Sequence, residues 1–355
     1  MKKVAVIGHY AYGLEYLDGQ TIKTKIVTNE LCKEYGESEI IQFDTHGGVK
    51  TLLKAPVYVW RAMKNTQNII ILPAHNGLRI FGRLLPVFKM FFKKRKIHYV
   101  VIGGWLSKML EKQKGLAKSL KKFDGIYVET NTMKQALVAQ GFKNIFVMPN
   151  CKELTPISIS ELAYQNEAPY RLCTFSRVMK EKGIEDAIDA VKSINLEFGK
   201  TIYSLDIYGQ VDPSQNEWFD NLKTELPDYI KYCGLVPFDK SVEVLKNYFA
   251  LLFPTRFYTE GIPGTIIDAY AAGIPVISSK WQSFNDIVDD HVTGIGYEFN
   301  NIEDLKQKLL DIENCKVLEE YRKVFSDYYS EEYHRQNIKN KLEEYFNVFE
   351  QEKNK

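Results

Sequence analysis

Two charged clusters in the C-terminal half hold residue types suited to binding anions and sugars. The first is Glu260–Ser279, EGIPGTIIDAYAAGIPVISS. Gly261, Pro263 and Gly264 stand just before a helix-like stretch, which leaves the first helical amides open to an anion or to sugar hydroxyls. Glu260 precedes that amide-rich turn, and Asp268 follows about two helical turns later, able to point to the same side. Ala269, Ala271, Ala272 and Gly273 are small enough for close helix–sheet packing. Gly273 and Pro275 end the helix. Spacing alone leaves an ordinary helix–turn–strand unit with a charged start as an equal reading. The second cluster is Thr174–Ala190, TFSRVMKEKGIEDAIDA. A strand ends at Ser176, and Arg177 and Lys182 flank the turn into a helix. Two cations at the carboxyl edge of a sheet suit a diphosphate. Taken alone, Arg177 reads as a solvated loop residue, as Lys180 and Glu181 do.

The elements that must position these residues are legible as an alternation. Val4–Ile7, Ile69–Leu72, Tyr99–Ile102, Gly125–Val128 and Ile145–Met148 read as buried strands, with helix-like stretches such as Thr21–Glu34 and Met133–Gln140 between them. The polar segment 150–169, with Pro156 and Pro169, interrupts the pattern as a linker. Strands then resume at Leu172–Ser176, Tyr203–Tyr208, Ile230–Cys233, Ala250–Phe253 and Pro275–Ser278, with helices at 183–197, 215–224, 239–248, 264–272 and 302–312. Such alternation predicts α/β architecture with parallel sheets covered by helices on both faces. The 355 residues suit two domains. We expect residues 1–155 to form an N-terminal Rossmann-like domain, residues 168–325 its C-terminal counterpart, and 326–355 a helical segment.

Composition excludes some classes. Hydrophobic residues are 45% and charged residues 26%, as in soluble globular proteins. No apolar run reaches the roughly 18 residues of a membrane span, and the first apolar run reads as a strand, not a signal peptide. Five scattered cysteines imply reduced thiols in a cytoplasmic protein and no zinc site. The net charge of +2 hides a division: residues 1–150 carry 24 Lys and Arg against 10 Asp and Glu. Residues 79–122 hold 13 basic residues and one acid, Glu111. Within them RIFGRLLPVFKMFFKKRK interleaves apolar and basic side chains, as an interfacial segment at an anionic membrane does. A solvated basic face over a core helix is the competing reading. Nucleic acid, the competing anion, is disfavoured as a partner: the other signals point elsewhere and no DNA- or RNA-binding motif is present.

The N-terminal loop GHYAYG, followed by Asp18-Gly19-Gln20-Thr21 and a helix, is neither a dinucleotide fingerprint nor a P-loop. Gly19, just before the helix, can let a phosphate approach backbone amides, or can be a plain capping glycine. His9 lies in this loop. His75-Asn76 and Gly104-Trp105 follow predicted strands and are candidates to contact an acceptor, with simple turn chemistry as the alternative.

Taken together, the two C-terminal clusters resemble glycosyltransferase family 4, of GT-B fold. The residues that carry the likeness are Ser176-Arg177, Lys182-Gly183, Glu260-Gly261-Ile262-Pro263, Ala269, Ala271, Gly273 and Pro275-Val276, in the family's order and separation. The C-terminal half matches well and the N-terminal half loosely, closest in flavour to bacterial enzymes building capsular or other surface polysaccharides. The resemblance implies two Rossmann-like domains facing across a cleft, with 1–155 binding the acceptor, 168–325 binding the nucleotide sugar, and 326–355 packing back on the first. It implies retaining transfer of a sugar from a nucleoside diphosphate, UDP being the commonest donor, to a glycan or lipid-diphosphate-linked acceptor. Arg177 and Lys182 would hold the diphosphate and Glu260 the sugar hydroxyls. Gly261, Ile262, Pro263, Gly264 and Thr265 would line the sugar–phosphate region, with Gly19 opposite. Tyr208, Gly209 and Val236 would flank the nucleotide. Asp268 stands where the family has a ribose-binding glutamate, one methylene shorter here. The histidine many relatives carry at the strand end before Gly104 is absent, so no histidine base is assigned. The family needs no resident cofactor and no metal, and no Asp-x-Asp motif is present. The enzyme would work in the cytoplasm, at the inner face of the membrane. The rival readings are a non-catalytic GT-B partner subunit and a GT-B sugar-nucleotide epimerase.

Overall fold

The structure, a computed structural model, describes residues 1–13, 19–152, 154–158, 161, 167–291 and 293–313. Met1–Lys152 forms one compact unit, and the described residues that follow form a second.

The first unit is built on β1 (Lys2–Gly8), β2 (Ile40–Asp44), β3 (Thr66–Ile71), β4 (Lys96–Val100), β5 (Gly125–Val128) and β6 (Ile145–Val147). They lie in the order β2-β1-β3-β4-β5-β6, every neighbour parallel. Its helices are α1 (Gly19–Tyr35), α2 (Val49–Leu52), α3 (Ala55–Asn65), α4 (His75–Lys89), α5 (Leu106–Lys112), α6 (Lys114–Leu120) and α7 (Asn131–Ala139). Alternate residues of β1 feed two cores. Val4 and Val6 pack with Val27 and Leu31 of α1, and Ala5 and Ile7 pack with Val59 of α3 and Phe81 of α4. That division requires helices on both faces and explains the unbroken apolar run of the strand.

The second unit repeats the plan with β7 (Tyr170–Phe175), β8 (Tyr203–Tyr208), β9 (Ile230–Gly234), β10 (Ala250–Phe253), β11 (Val276–Ser279) and β12 (Gly294–Tyr297). Their order is β12-β11-β10-β7-β8-β9, again parallel throughout. Its helices are α8 (Ile184–Phe198), α9 (Asn216–Lys223), α10 (Ser241–Leu245), α11 (Gly264–Ala271) and α12 (Ile302–Glu313). Leu172 and Leu252 face one core, and Cys173, Leu251 and Phe253 the other.

β2 and β12 add an edge on each sheet that the apolar pattern did not predict. The basic stretch 79–96 is largely helix α4, with Leu78, Phe81 and Leu85 fully buried and Arg79 and Arg83 exposed. The expected terminal segment 326–355 lies outside the described residues. No helix among the described residues is long and apolar enough to cross a membrane.

Candidate functional site

In each sheet the chain builds outward on one side, then returns to build on the other. The loops at the carboxyl ends of the two strands flanking that reversal lead to helices on opposite faces of the sheet, which leaves a crevice between them where α/β proteins bind ligands. In the second unit the reversal separates β7 from β10. The loop after β7 carries Arg177 and Lys182; the loop after β10 carries Thr255 and Glu260. Lys182 and Glu260, 78 residues apart, meet there as an ion pair, each side chain 17% exposed. The Thr255 hydroxyl also reaches the Glu260 Oε1, at 3.4 Å. The Lys182 Nζ sits 5.4 Å from the ring centre of Phe253 and 5.2 Å from that of Phe257, within cation–π range. The cation and carboxylate are therefore held at a partly enclosed surface.

Two glycines make the close approach of these loops possible. Gly183 has φ +68°, and a Cβ there would lie 1.9 Å from the Pro254 carbonyl oxygen. Gly209, after β8, has φ +134°, and its Cβ would lie 1.7 Å from the Ser176 carbonyl oxygen. The loop after β10 is further tied to α8 by Arg256, whose guanidinium donates to both carboxylate oxygens of Asp186 at 2.9 and 2.5 Å. Thr255 and Arg256 escaped the sequence reading; their one signal is their place directly after a buried strand.

The remaining predicted donor residues are distributed as follows. Arg177 is exposed and pairs with Asp212 at 3.6 Å rather than with Glu260. Gly261, Ile262 and Pro263 are buried, and Gly264 and Thr265 open α11. The Thr265 hydroxyl is buried and has no hydrogen-bond partner, a costly state unless a ligand completes it. Asp268 is 2% exposed, and its Oδ1 accepts from the Ser241 hydroxyl at 3.0 Å. Tyr208, at the end of β8, shares a hydrogen bond with the Tyr248 hydroxyl at 2.8 Å, and Tyr248 donates to Asp206 at 2.6 Å. Val236 is half-buried in the loop after β9.

In the first unit the reversal separates β1 from β3. His9, Gln20, Thr45, His75 and Asn76 line a pocket of about 260 Å³ there, so three of the predicted acceptor residues converge. The His9 ring contacts the Thr21 hydroxyl at 2.7 Å and the His46 ring at 3.0 Å. His75 stacks on Trp105, ring centres 3.8 Å apart. Burial, with help from Arg79, lowers the His75 pKa below the usual histidine value. Gly104 is buried, and the Trp105 ring lies beside Gly103. The turn that carries them is anchored by a buried ion pair: Lys23 meets Glu129 at 2.6 Å, and Glu129 accepts from the Gly103 amide at 3.2 Å. Asp44 braces the neighbouring loop. Burial works against its charge, but amides of His46, Tyr10, Tyr12 and Ala11 outweigh that and hold its pKa below the ordinary value. Gly19 begins α1 at an exposed position where a Cβ would meet nothing within 4 Å. Packing therefore does not demand a glycine there. Among the described residues no cluster of His, Cys, Asp and Glu could hold a metal ion.

Counted within each unit, the strand orders are 2-1-3-4-5-6 and 3-2-1-4-5-6, and two such Rossmann-like parallel sheets in one chain are the architecture found in proteins of the GT-B fold. The model of the family described as Glycosyl transferases group 1 matches residues 163–331, in the second half of the chain. An uncharacterized glycosyltransferase of Methanocaldococcus jannaschii is 28% identical over 212 residues, covering 58% of this chain and 57% of that protein. The chain thus matches little more than half of that relative's length. The amylovoran biosynthesis glycosyltransferase of Erwinia amylovora is 27% identical over 135 residues, or 36% of this chain and 31% of that protein. The crystal structure of Anabaena HepE in complex with UDP superposes with a TM-score of 0.73 at 14% identity, covering 97% of this chain and 100% of that one. Likeness at that identity speaks for the fold alone.

Proposed function

We propose that this chain is a retaining glycosyltransferase of the family 4 type that uses a nucleoside-diphosphate sugar, UDP-linked in first preference. The observation that carries the reading is the meeting of Lys182 and Glu260 at the reversal of the second sheet. The ammonium of Lys182 faces the donor diphosphate, joined by Arg177 once it leaves Asp212. The Glu260 carboxylate accepts from hydroxyls of the donor sugar. Amides at the start of α11 and the Thr265 hydroxyl complete the sugar–phosphate contacts. Tyr208, Gly209, Val236 and Asp268 surround the nucleoside.

In the transfer step the bond from the anomeric carbon to the diphosphate oxygen breaks, and its electron pair leaves with the phosphate. Lys182, Arg177 and the helical amides stabilise that growing charge. The acceptor hydroxyl attacks from the same face and passes its proton to the departing phosphate oxygen. No dedicated base, resident cofactor or metal enters this scheme. The pocket at His9, His75 and Asn76 takes the acceptor, a glycan or lipid-diphosphate-linked saccharide, with Trp105 stacked on His75 and Gly104 in the same turn as Trp105. Amylovoran biosynthesis by a relative favours a role in surface polysaccharide assembly. We place the enzyme in the cytoplasm, with the basic stretch 79–122 against the anionic inner face of the membrane.

One observation fits a second reading: Asp268 is buried against Ser241, as suits a non-catalytic partner subunit that binds a nucleotide without turnover. A thermal-shift screen over UDP-, GDP- and dTDP-sugars tests the proposal. A rise in melting temperature with one donor class, lost in Lys182→Ala, is expected, because ligand binding to the native state stabilises it. No rise with any sugar nucleotide would remove the donor site, and binding without sugar release would favour the partner subunit.

A further inference from the structure

Residues 45–110 contain no Asp or Glu, and they build helices α3 and α4, which pack side by side. The outer face of α3 repeats at helical spacing: Leu53 just before it, then Val57, Trp60 and Lys64. The outer face of α4 and its following turn does the same with Arg83, Val87, Met90 and Lys94. The apolar members are exposed to an unusual degree: Leu53 77%, Val57 56%, Trp60 49%, Val87 52%, Met90 68% and Phe91 77%. The two helices join at Trp60, whose ring meets Phe88 and Phe92 edge-on at 6.3 and 5.3 Å. The Arg95 guanidinium also donates to the Met63 carbonyl at 2.7 Å, bracing the turn after α4 against the end of α3. The patch is thus built by the fold before anything docks.

We infer that this face is a docking surface for an anionic lipid bilayer, with α3 as its apolar anchor and Trp60 at the lipid–water boundary. The inference deepens the membrane part of the proposed function and needs none of the sugar chemistry. Contiguous exposed apolar side chains call for a partner. The absence of any acid across 45–110, with Lys64, Arg83, Lys93 and Lys94 around the apolar members, makes that partner anionic. A second copy would bring the same positive face to a self-complementary contact and be repelled. An anionic bilayer uses both features at once: acyl chains take the apolar residues and headgroups the cations. The basic residues alone, read from the sequence, leave out α3 and therefore the anchor.

The test is flotation of the full chain with vesicles of phosphatidylcholine alone or with 30% phosphatidylglycerol, with quenching of tryptophan emission by brominated lipid. The chain is expected to float only with anionic vesicles, and most of the quenching should disappear in Trp60→Phe. Val57→Asp with Met90→Asp, and separately Lys93→Glu with Lys94→Glu, should each cut the bound fraction at least tenfold while leaving any sugar-nucleotide thermal shift unchanged. Equal flotation on neutral vesicles, no flotation on anionic ones, or quenching unchanged in Trp60→Phe would overturn the inference. So would a dimer, or a complex with single-stranded RNA, that the Val57→Asp and Met90→Asp pair dissolves while flotation persists. A wild type that floats but shows no thermal shift with any sugar nucleotide would keep the membrane surface and sink the donor site.

Discussion

Lys182 and Glu260 neutralise one another at the carboxyl edge of the second sheet, and that pairing sets what each substitution should do. Removing the ammonium takes away a charge that faces the diphosphate of the bound donor and the larger charge that grows there as the bond breaks, so Lys182→Ala should weaken donor binding and also lower kcat about 100-fold or more, roughly 3 kcal/mol. Glu260→Ala should lower turnover more than nucleotide affinity, since Glu260 is assigned to the sugar; equal losses of both, by steady-state kinetics and calorimetry, would move it elsewhere. Two further residues give the stability a pH dependence. The Asp44 carboxylate is held below its ordinary pKa by four amides, so its stabilisation is present above the unfolded value and lost as pH falls through the folded one. Asp44→Ala should cost about 1–3 kcal/mol at neutral pH, with a gap to wild type in denaturant titrations that narrows in acid. Burial pushes the His98 pKa down to about 4, so the unfolded chain binds the proton first. Stability then drops as pH falls from about 6.5 towards 4, and replacing His98 with glutamine should flatten that limb. At this scale residue types and order marked Arg177, Lys182 and Glu260 as candidates, and the structure brings Lys182 and Glu260 together. The Arg177–Asp212 pairing was not legible, because an exposed loop cation takes whichever carboxylate the fold brings near.

At the scale of elements, the loops after β7, β8 and β10 are closed by glycines with no room for a side chain. Gly183→Ala and Gly209→Ala each drive a Cβ into a carbonyl oxygen, at a positive φ that side chains also resist. Each should destabilise the protein by more than about 2 kcal/mol, whereas Gly19→Ala should leave the melting temperature within about a degree. A melting-temperature series over the three variants checks this. The buried strands were readable because both faces of a parallel sheet are covered, which makes their apolar runs continuous. β12 was hidden because Gly294 and Gly296 interrupt its run. A Cβ at Gly294 would come within 2.3 Å of the Val276 carbonyl oxygen, so packing forbids the apolar side chain that periodicity looks for. β2 was hidden for another reason: Gln42 breaks its short apolar run at an exposed position on the sheet's edge strand. α3 and α4 were obscured by apolar residues on their outer faces, which blur the amphipathic stripe.

For the whole molecule, the same reversal of strand order occurs in both sheets, and each reversal gathers a polar cluster: Lys182 with Glu260 in one unit, His9 with His75 and Asn76 in the other. Local pattern could place each residue at a strand end, but which ends become neighbours is a property of topology. The 78-residue separation of Lys182 and Glu260 carries no local trace of their contact. His46 joined His9 for the same reason, after a strand the pattern missed. The central claim is that a sugar nucleotide is cleaved at the Lys182–Glu260 pair. Its most direct test is release of nucleoside diphosphate from UDP-, GDP- and dTDP-sugars, followed by phosphorus NMR for the wild type and Lys182→Ala. The account predicts release from one donor class by the wild type and at least a 100-fold slower release by the variant. Equal rates in the two proteins, or no release from any donor by the wild type, would contradict it.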